Sequence, residues 1–375
     1  MRSLGLYIHI PFCRRKCAYC DFVSFPGLED TFDRYIAALI KESRLYSDAL
    51  KDCKVDTVFI GGGTPSLLSA EQMHILVEGV RRVFNWEPAE VTIEANPETL
   101  DNDKLGGYAQ TGINRLSIGL QTHDDAILER IGRRHSWKTF AHAYDTAARY
   151  FSNINVDTIF GLPGQTTEGF IETMRRVAAL LPKHISAYSL KLEPGTPLAV
   201  RFSGADEDDD REMYHSAAKY LENLGYSHYE TSNFALDGFE CRHNLKYWTG
   251  GEYLGLGVAA HSFLLEPARR FSNCSDVDTY CRLIENGDFP AEQTTLLTEK
   301  DAHFEYLMLR LRLKSGIDFN DYNRRFGGDF QNEFAAAIDS VLRAEIITLT
   351  PEGVSPTLKG YDLQNTLIRE FMKNI

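Results

Sequence analysis

LYIHIPFCRRKCAYC, residues 6–20, joins a run of β-forming apolar residues to three closely spaced cysteines. Cys13, Cys17 and Cys20 follow the spacing C-x3-C-x2-C, and a loop of this length can wrap a cube-shaped iron–sulfur cluster. Three thiolates for four irons leave one iron free to bind a small molecule, unlike a four-cysteine electron-transfer site. Zinc and chance clustering are the alternatives. Structural zinc usually takes four ligands in paired spacing, however, and no second pair lies nearby.

The composition is that of a globular protein with more acidic than basic residues. Its 375 residues exceed one ordinary domain of ~100 to 200 residues, which suggests one large domain and a small one. The hydrophobic fraction is 43% and the charged fraction 25%, so a packed core is expected and general disorder is excluded. The formal net charge of −13 argues against a broad phosphate-binding face, so nucleic acid is not an expected partner.

The cysteines also point to a reducing compartment. Seven cysteines cannot all pair within one chain, and those outside the cluster segment are scattered: Cys53, Cys241, Cys274 and Cys281. The N-terminal apolar stretch is followed by basic residues, which is the wrong order for a signal peptide. The longest later apolar stretch, residues 253–265, is shorter than the ~20 residues of a membrane helix. We therefore expect a soluble, cytoplasmic protein.

Short β-rich runs alternate with amphipathic helical stretches along the first half of the chain. The expected strands are residues 4–10, 57–60, 91–95, 115–120, 154–160 and 185–190. The expected helices between them include residues 32–46, 72–84, 137–150 and 169–181. This alternation predicts right-handed βαβ units and a parallel sheet. Six units fall short of the eight that close a TIM barrel, so we expect an α/β fold with an open, partial (βα)6 barrel.

Polar residues and glycines follow the expected strands at their carboxyl ends, where parallel sheets place their chemistry. The turn Gly61-Gly62-Gly63-Thr64-Pro65 could bring its backbone close to a ligand, although such turns are more often only turns. Glu94, Gln121 and Asp157 mark three further strand ends. The ordinary explanations are an exposed strand-end carboxylate for Glu94 and a turn cap for Asp157. Together these residues predict a single polar site at the carboxyl ends of the parallel strands.

The pattern changes in the last part of the chain. The acidic run at residues 206–210 opens a helix, and we interpret it as a solvated helix cap and not as a metal site. The elements expected after residue 295 are a helix at 334–342, a strand at 346–349, a hairpin around 351–353 and a final helix at 360–372. They suggest a small winged-helix-like unit, which in an acidic chain is better explained as a lid or docking domain than as a DNA-binding one. The expected domains are residues 1–285 and 286–375.

With these features in place, the sequence resembles a known superfamily. The run from Leu6 to Cys13, followed by C-x3-C-x2-C, is similar to the radical S-adenosylmethionine (SAM) superfamily in its coproporphyrinogen-oxidase-like branch. The resemblance extends to the C-terminal unit and covers nearly the whole chain. It implies a 4Fe-4S cluster held by Cys13, Cys17 and Cys20, with the open iron chelated by the amino and carboxylate groups of SAM.

The resemblance also implies which residues surround these cofactors. The residues concerned are Tyr7, Tyr19, Gly62, Gly63, Thr64, Glu94, Gln121, Arg133 and Asp157. The glycine turn would meet the methionine amino group, and Asp157 would bind ribose hydroxyls. Arg133 suits the SAM carboxylate through its fork of donors, although it also belongs to a helix-end cluster with Arg130 and Arg134. Core packing is the ordinary alternative for the two tyrosines.

Two departures from the oxidases of this branch point to another of its groups. The oxidases carry a further cysteine two positions after the third cluster cysteine, where this chain has Phe22. They also have a long arm before the first strand, where this chain has six residues before Tyr7. Both features resemble the HemW heme chaperone group. So does CRHNLKYW, residues 241–248, because that group carries an H-N-x-x-Y-W signature associated with heme binding.

The segment offers groups that suit heme. His243 offers an imidazole to the iron, and Tyr247 and Trp248 offer flat apolar surface to the porphyrin. A histidine near aromatic residues is usually a satisfied structural residue, however. Cys241 and His261 are the rival axial ligands.

Two functions follow from the resemblance. The first is a heme chaperone that delivers heme to a membrane-bound acceptor and uses the cluster and SAM. Its expected partners are heme, the acceptor and an electron donor, and a homodimer is an open possibility. The second is an oxygen-independent coproporphyrinogen III oxidase, which would decarboxylate its substrate oxidatively by radical SAM chemistry. The missing oxidase features and the H-N-x-x-Y-W segment favour the first, and a radical SAM enzyme with an unrelated substrate is a third option.

Overall fold

The structure, a computed structural model, describes residues 1–373. None of the helices in that range is both long and apolar enough to span a bilayer. The strands are β1 (Arg2–Ile10), β2 (Phe12–Cys13), β3 (Phe25–Pro26), β4 (Cys53–Gly62), β5 (Asn85–Ala95), β6 (Arg115–Gln121), β7 (Ile154–Phe160), β8 (His184–Ser189), β9 (Ser227–Glu230), β10 (Asn233–Ala235), β11 (Glu252–Leu256), β12 (His261–Leu265), β13 (Ala268–Asn273), β14 (Ala291–Leu296), β15 (Ile317–Asp318), β16 (Ile347–Leu349) and β17 (Gly353–Pro356). The α-helices are α1 (Phe32–Leu45), α2 (Ala70–Arg81), α3 (Asn102–Gln110), α4 (Asp125–Arg130), α5 (Trp137–Ala147), α6 (Thr167–Ala179), α7 (Glu207–Asn223), α8 (Arg242–Trp248), α9 (Val277–Asn286), α10 (Glu299–Arg310), α11 (Phe319–Phe326), α12 (Phe330–Glu333), α13 (Ala335–Arg343), α14 (Leu358–Asp362) and α15 (Gln364–Met372).

Most strands form one mixed sheet with the order β14-β13-β12-β11-β1-β4-β5-β6-β7-β8-β10-β9. Neighbours from β11 to β8 run parallel, and the pairings beyond both ends of that set are antiparallel. The six predicted strands are β1, β4, β5, β6, β7 and β8, so the prediction of an α/β fold with an open, partial barrel is confirmed. The prediction missed β11, which adds a further parallel strand beside β1.

Helices pack against the parallel strands, as α5 does against β6 and α7 does against β7. Every residue of β6 is buried. The helix α2 begins with a capping box, in which the Ser69 side chain accepts from Gln72 N and the Gln72 side chain accepts from Ser69 N. The acidic run opens α7 as predicted, with Asp206 accepting a hydrogen bond from Asp208 N at 2.9 Å.

The C-terminal unit has its own small sheet, β15-β17-β16, and its own apolar core. The final helix was predicted as one element, but the structure divides it at Leu363 into α14 and α15. The division lets Tyr361 pack against the core of the barrel while Leu367 and Phe371 pack in the C-terminal core. The boundary at residue 286 stays a prediction, and β14 (Ala291–Leu296) still pairs with β13 of the large sheet.

The C-terminal unit contacts the outer edge of the large sheet through backbone hydrogen bonds. Thr231 N donates to Arg312 O at 3.1 Å, and Lys314 N donates to Tyr229 O at 2.9 Å. An isolated antiparallel bridge joins Glu230 to Leu313 between these bonds. Residues 312–314 therefore lie along β9, the last strand in the sheet order.

Candidate functional site

The carboxyl ends of the parallel strands open onto one cleft, whose open space amounts to about 1510 Å³. Residues that follow different strands meet there because parallel strands end at the same edge. The cleft is lined by most of the predicted site residues: Cys13, Cys17, Tyr19, Cys20, Gly62, Gly63, Thr64, Glu94, Gln121, Arg133 and Asp157. Two predicted site residues, Tyr7 and His243, lie outside its lining.

The three cysteines lie on a loop that backbone hydrogen bonds hold in place. At its base β2 pairs with β3, and Phe25 N donates to Pro11 O at 2.7 Å. In its middle Ala18 N donates to Ile131 O at 3.0 Å, which ties the loop to the residues after α4. The loop therefore has a fixed position relative to the ends of β1 and β6.

The thiols on this loop fit an iron–sulfur cluster. Burial raises the pKa of the Cys13 and Cys20 thiols above the ordinary value, so both keep their protons until a metal displaces them. All three cysteines line the same cleft, and thiolates are the ligands of such clusters. Within residues 1–373, no group of three His, Cys, Asp or Glu side chains is placed as a single metal ion would require. Ligation of a cluster by the three cysteines stays a prediction.

The glycine turn after β4 packs directly against the cysteine loop. Gly62 has a φ of 111°, and a Cβ on it would lie 2.5 to 2.9 Å from ring atoms of His9. A Cβ on Gly63 would lie 2.6 Å from the carbonyl oxygen of Phe12. Thr64 N donates to that same oxygen at 2.7 Å. No Cβ fits at Gly62 or Gly63, so only glycine allows this close approach, and Thr64 Oγ1 lies 3.5 Å from Cys13 Sγ.

Glu94 is a half-buried acidic residue that lines the cleft at the end of β5. Its Oε2 accepts a hydrogen bond from Gly62 N at 2.9 Å. Burial, and after it the charge of Asp157, raises the pKa of Glu94, whereas the Gly62 N–H and Arg115 lower it, and the net result is a pKa of about 8. The carboxyl group therefore keeps its proton at neutral pH in this form of the protein. A cationic ligand beside it would favour release of that proton.

Arg133 crosses from the end of α4 towards the cysteine loop. Its Nη1 donates to Asn96 Oδ1 at 2.9 Å and lies 3.7 Å from Cys17 Sγ, and its Nη2 donates to Gly119 O. Burial lowers the pKa of the guanidinium, but Tyr19 and Cys17 raise it more, so the net shift is upward. Its Nε is buried without a hydrogen-bond partner in the described part of the chain. A buried cationic donor without a partner suits an anionic group such as a carboxylate.

Asp157 and Gln121 are the remaining predicted polar residues that line the cleft. Ser117 Oγ donates to Asp157 Oδ2 at 2.7 Å, and Asn155 Nδ2 donates to its Oδ1 at 2.8 Å. Gln121 has a φ of 74°, which is uncommon for a residue other than glycine and turns the chain at the end of β6. Ser117 and Asn96 also line the cleft and were not predicted. Asn96 follows β5 directly, so its position at a strand end was a usable signal, whereas Ser117 lies within β6 and gave none.

The two predicted tyrosines occupy different places. Tyr19 lines the cleft beside the cysteines, and burial raises the pKa of its hydroxyl. Tyr7 Oη lies 2.9 Å from His9 Nδ1, and its ring stacks on Phe59 with centroids 6.2 Å apart. Tyr7 is half-buried, and its role beside a cofactor stays a prediction.

His243 lies away from the cleft, at the start of α8. Its Nδ1 lies 3.0 Å from Thr57 Oγ1 and its Nε2 lies 2.8 Å from Tyr247 Oη. Burial, followed by the charge of Lys246, lowers the pKa of the imidazole to about 3, so the ring is neutral. The side chain is 0% exposed. Both ring nitrogens are engaged, so ligation of a heme iron would first require these contacts to break.

The two rival axial ligands differ in exposure. Cys241 is 0% exposed, its Sγ lies 3.5 Å from Glu90 Oε1, and burial raises its pKa to about 12. His261 begins β12 and is exposed. Because β12 runs antiparallel to β11, His261 lies at the same sheet edge as the carboxyl ends of the parallel strands. Of the three candidates, His261 presents the accessible imidazole.

A buried chain of polar contacts joins the cleft to the start of α8. Asn155, which holds Asp157, has its Oδ1 2.6 Å from His184 Nδ1. The other ring nitrogen of His184 lies 2.8 Å from Tyr229 Oη, which accepts a hydrogen bond from Cys241 N at 3.2 Å. Sequence reasoning missed this chain because its members are far apart in sequence and form no local motif.

Comparison with known proteins places the chain in a superfamily. Residues 7–177 match the Radical SAM superfamily model, and residues 297–363 match the HemN C-terminal domain. The solved structure of coproporphyrinogen III oxidase (HemN) from Escherichia coli has a TM-score of 0.87 and covers 100% of this chain and 91% of that one. At 23% sequence identity, this likeness shows the fold alone.

Curated relatives narrow the assignment. Heme chaperone HemW of Haemophilus influenzae is 34% identical, over 98% of this chain and 98% of that protein. The Bacillus subtilis HemW is also 34% identical, with 98% of each chain covered. The Escherichia coli HemW is 36% identical over 83% of this chain and 82% of that protein. This chain therefore belongs to the HemW family of the radical SAM superfamily.

Proposed function

We propose that the protein is a heme chaperone that binds heme, carries a 4Fe-4S cluster with SAM, and delivers heme to a membrane-bound acceptor. One observation carries the proposal. The cleft gathers three cysteines with Glu94, Arg133 and Asp157, in a chain whose relatives over nearly their full length are heme chaperones. The relatives supply the argument for heme, and the cleft supplies the argument for the cluster and SAM.

The residues of the cleft complement the charges of the proposed cofactors. The three cysteines would ligate the cluster, each through its thiolate. The free Nε of Arg133 suits the SAM carboxylate, and an ionised Glu94 would pair with a cationic group of SAM. Asp157, held by two donors, has the oxygens that ribose hydroxyls need. When bound together, a reduced cluster and SAM can supply a carbon-centred radical.

Position 22 favours the chaperone over the oxidase. Phe22 is 64% exposed and lines the cleft. Its ring cannot replace the additional thiol that the resemblance associates with the oxidases, whereas it offers apolar surface to a flat ligand. The likeness to HemN shows a shared fold and carries no activity with it.

Two assays on one sample separate these functions. After anaerobic reconstitution of the cluster, heme titration is followed by the Soret band, and coproporphyrinogen III turnover is measured with SAM and a reductant. We expect heme binding without formation of protoporphyrinogen, and turnover would overturn the chaperone proposal. Delivery is tested by heme transfer from the loaded protein to vesicles that contain an apo-heme protein.

The same titration tests the heme ligand. We expect His261→Ala to shift the Soret band and weaken heme binding by at least about tenfold, since it removes the accessible candidate ligand.

We expect His243→Ala to lower the free energy of unfolding by about 2 to 4 kcal/mol, because it leaves a cavity and two polar groups without partners. Denaturant unfolding measures the second effect. A His243→Ala protein that is as stable as the wild type but has lost heme would show that His243 is the ligand.

SAM affinity is expected to rise with pH up to about 8, the pKa of Glu94. Because that pKa is raised, the proton must leave before the carboxylate can pair with a cation. Below this pKa, each pH unit should therefore lower the SAM affinity by up to about tenfold. Above this pKa, the affinity should no longer change with pH. Titration calorimetry from pH 6 to 9 measures this slope. Glu94→Gln should bind SAM more weakly at pH 8 and lose the slope, and an unchanged slope in that variant would contradict the role of Glu94.

A further inference from the structure

His184 is a buried histidine that lies outside the lining of the cleft. It is 0% exposed and begins β8, whose other end reaches the cleft. Its Nδ1 lies 2.6 Å from Asn155 Oδ1, and its Nε2 lies 2.8 Å from Tyr229 Oη. Burial, and after it the charge of Arg115, lowers the pKa of the imidazole well below its ordinary value. The ring is therefore neutral, and it donates through one nitrogen and accepts through the other.

The contacts of Asp157 fix which of the two ring nitrogens donates. A carboxylate can only accept, so the Asn155 atom 2.8 Å from Asp157 Oδ1 is the amide nitrogen. The amide oxygen of Asn155 then faces His184, and this oxygen too can only accept. His184 therefore donates from Nδ1 to Asn155 Oδ1. Its Nε2 is left to accept from Tyr229 Oη, which itself accepts from Cys241 N at 3.2 Å.

His184 and Asp157 favour the same orientation of the Asn155 amide group. Two hydroxyl groups also contact that amide, since Ser186 Oγ lies 3.2 Å from Asn155 Oδ1 and Ser117 Oγ accepts from Asn155 Nδ2 at 2.7 Å. A hydroxyl both donates and accepts, so neither serine by itself distinguishes the two orientations. His184 does distinguish them, because the contact of its Nε2 keeps the proton on Nδ1, where it would face the amide protons of a turned side chain.

This arrangement holds the carboxylate of Asp157 at both oxygens. Asn155 Nδ2 donates to Oδ1, and Ser117 Oγ donates to Oδ2 at 2.7 Å. Asp157 lines the cleft, so the carboxylate can present its remaining acceptor sites to a ligand there. A carboxylate that is held against rotation is prepared to accept from two neighbouring hydroxyls at once.

We propose that His184 is a positioning residue, which acts through Asn155 to hold Asp157 as the acceptor for the ribose hydroxyls of SAM. The proposal rests on the proposed function, because it takes Asp157 as the ribose contact. It adds a determinant of specificity, since the preference for ribose over deoxyribose should depend on a residue outside the cleft. A site built to accept a hydroxyl proton rejects a ligand without that hydroxyl, because a buried polar group is left unpaired.

The test compares two ligands that differ by one ribose hydroxyl. Titration calorimetry on the cluster-reconstituted protein measures the affinity for S-adenosylhomocysteine and for its analogue with deoxyribose in place of ribose. We expect the wild type to prefer the ribose form by at least about tenfold. His184→Leu has a similar volume and no donor, so it should reduce this preference to less than about threefold. A general loss of structure would weaken both ligands equally and leave the ratio of affinities unchanged.

Two further variants serve as controls. His184→Asn keeps an amide N–H near the position of Nδ1, so it should still prefer the ribose form by at least about fivefold. An equal loss of preference in His184→Asn and His184→Leu would overturn the role of the donor. His228→Leu removes another buried imidazole, which is 3% exposed on β9 and has its Nε2 3.1 Å from Tyr214 Oη. It should also destabilise the protein, but its preference should stay within about twofold of the wild-type value.

The imidazole of His184 also provides a measurement that needs no substitution. In protein labelled with the heavy nitrogen isotope, the chemical shifts of the two ring nitrogens identify the protonated one, and we expect Nδ1–H. A proton on Nε2 would overturn the proposal even if His184→Leu failed to fold, because Asn155 Oδ1 would then face another acceptor.

The outcomes separate this proposal from the proposed function. A wild-type protein that binds neither ligand, or binds both equally, would contradict the ribose contact at Asp157 and with it the role of His184. A wild-type preference that His184→Leu retains would overturn the positioning role alone and leave Asp157 as the ribose contact.

Discussion

Cys17→Ala is expected to prevent assembly of the 4Fe-4S cluster, with iron and acid-labile sulfide reduced at least about tenfold after anaerobic reconstitution. Cys17 lies in the middle of the loop and lines the cleft. A cluster with three protein ligands already has one open iron, and the substitution would leave two. Iron and sulfide analysis, together with the absorption spectrum, measures the loss.

Cys53→Ala is the matched control for this experiment. Cys53 is also a free thiol, but it is buried at the start of β4, at the edge of the sheet away from the cleft. Its removal should leave the iron content unchanged. A full cluster in Cys17→Ala, or a lost cluster in Cys53→Ala, would show that the loop cysteines are not the ligands.

Gly62→Ala is expected to lower the free energy of unfolding by about 3 kcal/mol, through two causes that add. The backbone at φ 111° is strained for any residue with a Cβ. The new methyl group would also lie 2.5 Å from the nearest ring atom of His9, so the ring or the turn must move. Guanidinium unfolding measures the loss. Cluster content should fall with it, because the turn contacts the cysteine loop.

Gly112→Ala separates the two causes. Gly112 also has a positive φ, of 94°, but a Cβ there would meet nothing within 4 Å. It should therefore show the backbone cost alone, about 1 kcal/mol. If both variants lose the same stability, the contact with His9 costs nothing and the packing argument for the turn fails.

Local sequence signals were sufficient to predict six of the parallel strands. They were insufficient to predict the other strands of the large sheet. The six predicted strands are short β-rich runs bounded by turn residues, and each could be recognised by itself. Residues 253–265 form one apolar run in the sequence but two strands, β11 and β12, in the structure. The turn between them includes Ala259 with a φ of 53°, a conformation that alanine does not signal.

The candidate site also contains residues that the sequence predicts and contacts that it does not predict. The meeting of Glu94 and Gln121 in one cleft could be predicted, because the carboxyl ends of parallel strands lie together whatever their distance in sequence, and Asp157 joins them from within β7. The environment of His243 could not be predicted. Its contact with Tyr247 is a helical neighbour, but Thr57 Oγ1 and Glu90 Oε1 come from residues 186 and 153 positions away. These distant residues surround His243 and bury its imidazole. The sequence near the H-N-x-x-Y-W segment does not indicate them.

The backbone of residues 312–314 along β9 has a consequence for solubility. A strand at the end of a sheet offers unpaired N–H and C=O groups to any other strand, and proteins protect such edges against aggregation. Here the protection comes from the C-terminal unit, through the hydrogen bonds at Thr231 and Lys314. A protein shortened to the barrel would keep every residue of the cleft. It would also expose β9 to pairing with its neighbours, so it should precipitate even though its binding residues are complete.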